Sequence, residues 1–233
     1  MSGEDRHAAL RARMRADGLL VGPDGPVSRT AGRPVSDALR RAVDLLVAGV
    51  LLVALALPLA LACALVRLES PGSPIFRQRR CGLAGREFEV VKLRTMVDGA
   101  ERIGAGLAID KGDARITRLG RFLRRTSLDE LPQLVNILRG EMTLVGPRPT
   151  LPHQIAAYDK RQRERLLVKP GVTGWAQVHG RTSLSWPERI ELDRWYVAHR
   201  SLRLDARILV KTVAVVLGGE GVEREGRAWV DPA

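Results

Sequence analysis

The chain has 233 residues, enough for one sizeable domain and an appendage but short for two full domains. Its 38 Lys and Arg against 26 Asp and Glu give a formal charge of +12, which calls for an anionic partner: nucleic acid, a phospholipid surface or a phosphorylated substrate. Aromatic residues at 4% leave too few stacking platforms for single-stranded nucleic acid, so no nucleic-acid partner is expected.

Residues 1–35 carry several Arg, Gly and Pro and no apolar core of the length a secretory signal needs, and they read as a flexible basic extension able to touch anionic lipid. Residues 36–67 follow as a membrane helix. From Leu45 to Val66 there are 22 residues without a charge, long enough at ~1.5 Å per residue to cross the ~30 Å hydrocarbon core. Arg33, Arg40 and Arg41 precede the run, and Arg67, Arg77, Arg79 and Arg80 follow it. A straight span would place one of these basic flanks on the wrong side of the membrane. Pro58 removes a backbone donor past the middle of the run and predicts a kink there. Two insertions stay open: a bent, re-entrant helix that enters and leaves by the cytoplasmic face, and a kinked single-pass anchor. Cys63 lies inside this run and the only other cysteine is Cys81, so neither a disulfide framework nor a cysteine zinc site is supported, and a reducing setting fits.

Residues 68–233 read as a cytosolic domain at the membrane interface, α+β and mostly α. Ser70 to Pro74 is a turn-rich linker, and Ile75 to Arg79 with Glu87 to Leu93 predicts a short β-hairpin around Gly82 and Gly85. Helices are predicted at Val97–Ile103, Ile116–Arg125, Leu131–Leu138, Pro152–Val168, Trp186–His199 and Asp205–Leu217. The last is too short to span a bilayer; core packing and an interfacial position are both open for it.

Two features carry chemistry. Asp129 and Glu130 are adjacent acids at a helix start. With Ser127 as N-cap, Glu130 has capping-box spacing, whereas Asp129 as N-cap puts Pro132 at the third helical position, where no backbone bond is lost. Either register leaves Asp129 near a helix N-terminus, which favours its ionised form and an incoming phosphate; capping and catalysis remain alternatives. Downstream, Gly146-Pro147-Arg148-Pro149 stiffens the backbone around one guanidinium suited to a phosphate. Two acids able to hold Mg²⁺, with Lys92, Arg94, Arg121, Arg124 and Arg125 nearby in sequence, make a phosphoryl-transfer set.

Ordered blocks from about Ala42 to about Leu217 extend this reading. They are the apolar segment with Pro58, then Pro74-Ile75-Phe76-Arg77-Gln78, Lys92-Leu93-Arg94-Thr95-Met96 and Asp113-Ala114-Arg115-Ile116-Thr117. Gly120-Arg121-Phe122-Leu123-Arg124, the Asp129-Glu130 segment, Gly146-Pro147-Arg148-Pro149 and Lys169-Pro170-Gly171-Val172-Thr173-Gly174-Trp175-Ala176-Gln177 complete them. In these the chain resembles the bacterial sugar transferases, the monotopic phosphoglycosyl transferases that move a phosphosugar from a nucleotide sugar to a polyprenyl phosphate.

The resemblance implies that Asp129 is the nucleophile toward the β-phosphorus of a UDP-sugar. It further implies that Glu130 helps to hold Mg²⁺, that Arg124 and Arg148 contact phosphate, and that Lys92 does so less surely. Undecaprenyl phosphate would be the acceptor, the bacterial inner membrane the location, with the catalytic domain cytoplasmic, and the product the start of an exopolysaccharide, capsule, O-antigen or glycoprotein glycan. The chain departs from the family in having Leu57 where Ser commonly precedes the kink proline. It also looks like the short form, without the further membrane helices of longer relatives. The rival from another class is a non-catalytic basic membrane scaffold for a polysaccharide assembly complex, which would leave the acid pair and the Arg148 turn unused.

Overall fold

The structure is a computed structural model that describes residues 34–103, 112–180 and 184–218. The basic extension expected at residues 1–35 lies almost wholly outside the described residues. Helix α1 (Pro34–Ala54) and helix α2 (Ala56–Glu69) share one apolar run and meet at Leu55, where φ −98° and ψ 5° interrupt the helix. The two axes are bent by 61°. The bend falls three residues before Pro58, for a simple reason: a proline has no N–H for the carbonyl four residues upstream, here Ala54, so the defect appears in the preceding turn. Among the described residues no single helix is long and apolar enough to cross a membrane; the bent pair passes that test together. Around the bend, Val53 and Leu57 are each 80% exposed, so this apolar apex lies bare of protein.

The other end of α1 is not bare. Arg41 donates to the carbonyls of Ile137 and Leu138, and buried Asp44 accepts from Thr143 Oγ1 at 2.7 Å and from the Leu144 amide at 2.9 Å. Ala48 is fully buried with Leu134, Ile137 and Met142. The first half of α1 is therefore bolted into the polar domain, and only the part beyond about Gly49 stands clear of it.

Strands β1 (Ile75–Cys81) and β2 (Glu87–Leu93) form the predicted antiparallel hairpin, with Ile75 opposite Leu93 and Cys81 opposite Glu87. Arg94, just past β2, is buried and caps α2: its guanidinium donates to the carbonyls of Ser70, at 2.7 Å, and Pro71. Val66, Leu93 and Leu123 form a small apolar cluster where α2 lands on the hairpin. Helix α3 (Arg118–Thr126) is followed by a 3₁₀ segment (Leu128–Gln133) and then α4 (Leu134–Arg139). Next come β3 (Thr143–Val145), α5 (Pro152–Ala156), a second 3₁₀ segment (Gln162–Leu167), β4 (Gly171–Thr173), α6 (Trp175–Val178), α7 (Trp186–His199) and α8 (Leu202–Gly218).

Helices α7 and α8 match the expected ones closely. Helix α7 starts on a capping box in which Glu188 accepts from the Ser185 amide at 2.7 Å. Helix α8 begins at Leu202 and packs Leu204 and Ile208 into the core. Three expectations are corrected. The Val97–Ile103 helix is a single 3₁₀ turn, because Gly99 takes φ +70° and the Val97 amide bonds the Arg115 carbonyl. The long helix at Pro152–Val168 breaks after α5, because Asp159 and Gln162 cap one another's amides and start a new turn. The parallel pair β3 and β4, three residues each, was unforeseen. Strands so short leave little periodicity to read.

The main core gathers Leu134, Ile137, Met142, Leu144, Leu192, Tyr196 and Ile208. Its strongest tie to the sheet is Asn136, fully buried, whose side chain accepts from the Val91 amide and donates to the Glu89 carbonyl at 2.6 Å. One polar side chain thus joins α4 to β2, and that joint places the 3₁₀ segment beside Lys92.

Candidate active site

The acids lie in neither of the helix registers considered. Ser127, with φ +57°, ends α3 in the left-handed region and turns the chain sharply into the 3₁₀ segment. Asp129 and Glu130 sit in that segment's first turn, Pro132 lies within it, and regular α-helix begins only at Leu134. The capping-box alternative fails on geometry: Ser127 makes no side-chain cap bond, and Glu130 points elsewhere.

Glu130 is clamped. Its Oε1 accepts from Lys92 Nζ at 2.9 Å and from Arg148 Nη2 at 2.7 Å, and its Oε2 accepts from Arg148 Nη1 at 3.3 Å. Burial alone would raise its pKa, but Arg148 and Lys92 outweigh burial and hold the carboxyl well below the usual carboxylate range. Asp129, 9% exposed, accepts no hydrogen bond among the described residues. Burial first, and the Glu130 charge second, push it up to about 6, against the pull of Lys92, Arg124 and Arg148. Adjacent carboxylates in contrasting environments are the usual arrangement for divided roles, one fixed as an anion and one left reactive.

The cations come from three parts of the chain. Lys92 reaches in from β2; burial lowers its pKa, against the opposing pull of Glu130. Arg124, on α3, donates to Thr95 Oγ1 at 2.7 Å and stands in the field of Asp129 without touching either acid. Arg148 comes from the loop after β3. That loop is welded to the segment around β4: the Gly146 amide bonds the Thr173 carbonyl and the Gly171 amide bonds the Pro147 carbonyl, each at 2.9 Å. A Cβ on Gly171 would lie 2.1 Å from the Gly146 nitrogen, so the Gly-Pro-Arg-Pro and Lys-Pro-Gly-Val-Thr-Gly blocks are one structural unit that requires glycine. On the opposite side, Thr150 pairs with Cys81 of β1. From below, buried Arg165 donates to the Arg148 carbonyl at 3.1 Å.

The structure therefore brings Asp129, Glu130, Lys92 and Arg148 together, with Arg124 alongside. Of the other basic residues singled out in the sequence, Arg94 is spent on capping α2, and Arg121 and Arg125 are exposed. Residues that sequence reasoning passed over are Arg80 and Gln133, which line a cleft beside Lys92 and Arg148, and Arg165, which braces the Arg148 loop. Arg80 was visible only as one arginine among several after Gln78.

The site also tests the expected metal. Among the described residues no group of three or more His, Cys, Asp or Glu could hold one. A divalent cation at Glu130 would have to displace Lys92 or Arg148, so of the acid pair only Asp129 has free oxygens to offer. Mg²⁺ suits such a place, since it commonly takes one or two carboxylates and completes its shell with water and substrate phosphate.

Fold and site define a class: a small, mainly helical domain, joined to a bent apolar helix pair, that holds two acids of opposite character among part-buried cations. The bacterial sugar transferase model matches residues 35–219, and the chain belongs to that family. An uncharacterized sugar transferase, EpsL, of Bacillus subtilis is 45% identical over 187 residues, covering 80% of this chain and 91% of the relative. A UDP-glucose:undecaprenyl-phosphate glucose-1-phosphate transferase of Caulobacter vibrioides is 44% identical over 211 residues, 85% of this chain and 76% of the relative. A UDP-N-acetylgalactosamine-undecaprenyl-phosphate N-acetylgalactosaminephosphotransferase of Aeromonas hydrophila is 41% identical over 198 residues, 81% of this chain but 46% of the relative.

Proposed function

We propose that the chain transfers a phosphosugar from a UDP-sugar to undecaprenyl phosphate in two steps through Asp129. The observation that carries this reading is the division between a buried carboxylate with no donor and a neighbouring carboxylate held by two cations. The names of the relatives supply the substrate class. A scaffold, the rival from another class, has no use for an acid kept free at the cost of burial.

In the first step an Asp129 carboxylate oxygen attacks the β-phosphorus of the donor. The new O–P bond forms as the bridging P–O bond breaks, its electron pair leaving on UMP, and the phosphosugar stays on Asp129 as an acyl phosphate. In the second step an oxygen of the lipid phosphate attacks the same phosphorus. The acyl phosphate bond breaks, Asp129 is released as a carboxylate, and the sugar leaves as a lipid diphosphosugar. All attacking and leaving oxygens are anionic near pH 7, so neither step needs a proton donor. Lys92, Arg148 and Arg124 stabilise the phosphoryl oxygens. Glu130 orients Lys92 and Arg148 and, as their counter-ion, keeps the charge of the pocket from growing too large to release product. Asp129, with Glu130 beside it, would hold Mg²⁺, which when bound would supply neutralisation of diphosphate charge.

The bent pair α1 and α2 would sit re-entrantly in the cytoplasmic leaflet of the bacterial inner membrane, its bare apex in the acyl chains and its basic flanks on anionic headgroups, with the site at lipid-phosphate depth. Membranes containing the chain, given a panel of UDP-sugars and Mg²⁺, are expected to release UMP and to carry radiolabelled phosphosugar on Asp129 before any lipid acceptor is added. Full turnover by Asp129→Asn would sink the nucleophile assignment. For the topology, a membrane-impermeant thiol reagent applied to intact cells should leave engineered cysteines at positions 2 and 75 unlabelled; labelling at either rejects the re-entrant arrangement.

A further inference from the structure

The cleft beside the acids holds more positive charge than one phosphoryl group requires. Arg80, Lys92, Gln133, Arg148, Val90 and Pro149 line it. Arg80, which is part-buried, differs from the fully buried Arg165 and Arg194. Arg165 and Arg194 are each bound to carboxylates, whereas Arg80 rests on neutral oxygens: Gln78 Oε1, at 3.0 Å from Nε and 2.6 Å from Nη2, and the Pro149 carbonyl, at 3.3 Å from Nη1. Among the described residues it has no ion pair. These contacts take three of its five N–H donors and leave two. Burial, followed by repulsion from Arg148, lowers its pKa to about 10 against the weaker pull of Glu130. In the same wall Gln133 is 2% exposed, and its Nε2 is buried with no hydrogen-bond partner. A buried amide donor without an acceptor, next to an arginine without a counter-ion, describes a place made for anionic oxygen.

We propose that Arg80 and Gln133, with the outward face of Arg148, form a second phosphate subsite adjoining Asp129. It adjoins the place where Lys92 and Arg148 hold Glu130, and both of those cations also line its cleft. The proposal rests on the phosphosugar-transfer reading, and the ligand is a phosphate ester oxygen in either of two guises. It is the uridylyl phosphate of the donor, which would be steadied as it leaves, or the phosphate of the lipid acceptor. The Arg80 contact to the Pro149 carbonyl, at 3.3 Å, ties this subsite to the same loop that carries Arg148.

The experiment uses the full chain in detergent or nanodiscs and compares wild type with Arg80→Gln, Gln133→Leu and, as a control, Arg79→Gln, an exposed neighbour on β1. Calorimetry with inorganic pyrophosphate reads the subsite without relying on turnover. Affinity is expected to fall at least ~10-fold in Arg80→Gln and ~3-fold or more in Gln133→Leu, and to stay within ~2-fold in the control. The half-reactions then separate the two sources. A raised KM for UDP-sugar in UMP release without acceptor, with weaker product inhibition by UMP, marks the uridylyl phosphate. Unchanged UMP release with a raised KM for polyprenyl phosphate marks the lipid. If folded Arg80→Gln binds pyrophosphate like wild type and keeps both KM values, the subsite does not exist. Failure of the wild type to release UMP from any UDP-sugar would instead refute the proposed function, and the pyrophosphate comparison would still decide the subsite.

Discussion

Two clusters of buried charge lie about one strand apart, and they are built on opposite plans. Below the Arg148 loop, Arg165 meets Asp193 at 2.5 Å, and Arg194 meets Glu164 at 2.7 Å and Glu191 at 2.9 Å. Arg165 adds Thr150 Oγ1 and Tyr158 OH as acceptors, so the charges of this cluster are matched within it, with the Arg165 Nε donor left unpaired among the described residues. Above the loop, Glu130 is closed in the same manner by Lys92 and Arg148, but Asp129, Arg80 and the Gln133 amide are left open. Burying a charge without a partner costs several kcal/mol, and a fold keeps such groups where something binds. What separates the two clusters is the pairing of charge: each carboxylate below the loop meets an arginine, whereas Asp129 and Arg80 form no ion pair among the described residues.

The comparison can be broken most directly at Asp129. Asp129→Asn is expected to lower UMP release by more than ~10³-fold while leaving the fold intact. The sign of its stability effect is informative. Because the folded protein raises the Asp129 pKa from 3.8 to about 6, the ionised form is disfavoured in the native state, and stability is lost as pH rises through that range. The Asn variant should therefore melt higher than wild type at pH 8, with the gain fading by about pH 4. A lower melting temperature at pH 8 would mean that Asp129 is a structural ion after all.

The closed cluster should respond in the opposite sense. Asp193→Asn strips Arg165 of its carboxylate and is expected to cost about 3–5 kcal/mol in chemical denaturation. Residual UMP release per folded molecule should fall less than in any acid-pair variant, since the reacting groups are untouched and only the brace under Arg148 is loosened. An Asp193→Asn protein as stable as wild type would remove the basis for separating the clusters.

Glu130→Gln is expected to reduce turnover by ~10²–10³-fold, because Lys92 and Arg148 lose the anion that aims them. Its stability penalty should vanish in acid: the Glu130 pKa is lowered by its partners, so its contribution is present above the unfolded value near 4.5 and lost as pH falls below it. The mildest test is the pH profile of UMP release in wild type, whose acid limb should have its midpoint near pH 6 and steepen below it as Asp129 is protonated. An acid limb centred near pH 4 would indicate an unburied nucleophile.

Much of the site was legible in the chain itself. Asp129 beside Glu130 and Arg148 between two prolines are local patterns, and composition plus the apolar run restrict the partners to anions at a membrane. The hairpin, α7 and α8 were readable for the same reason: alternation, capping and periodicity act over a few residues. The 3₁₀ segment was not, because its backbone follows from Ser127 entering the left-handed region and from Asn136 fastening α4 to β2, neither of which periodicity encodes.

Sequence alone determined which residue types are present and that the chain carries one bent apolar arm. It could not say which of two neighbouring acids is free. That depends on Lys92 arriving from 38 residues upstream and Arg148 from 18 downstream to bind Glu130, while Asp129 is left largely buried with no donor among the described residues. A pKa is set by what surrounds a group in space, and for these two carboxylates the surroundings exist only once the hairpin, the 3₁₀ segment and the glycine-welded loop have come together.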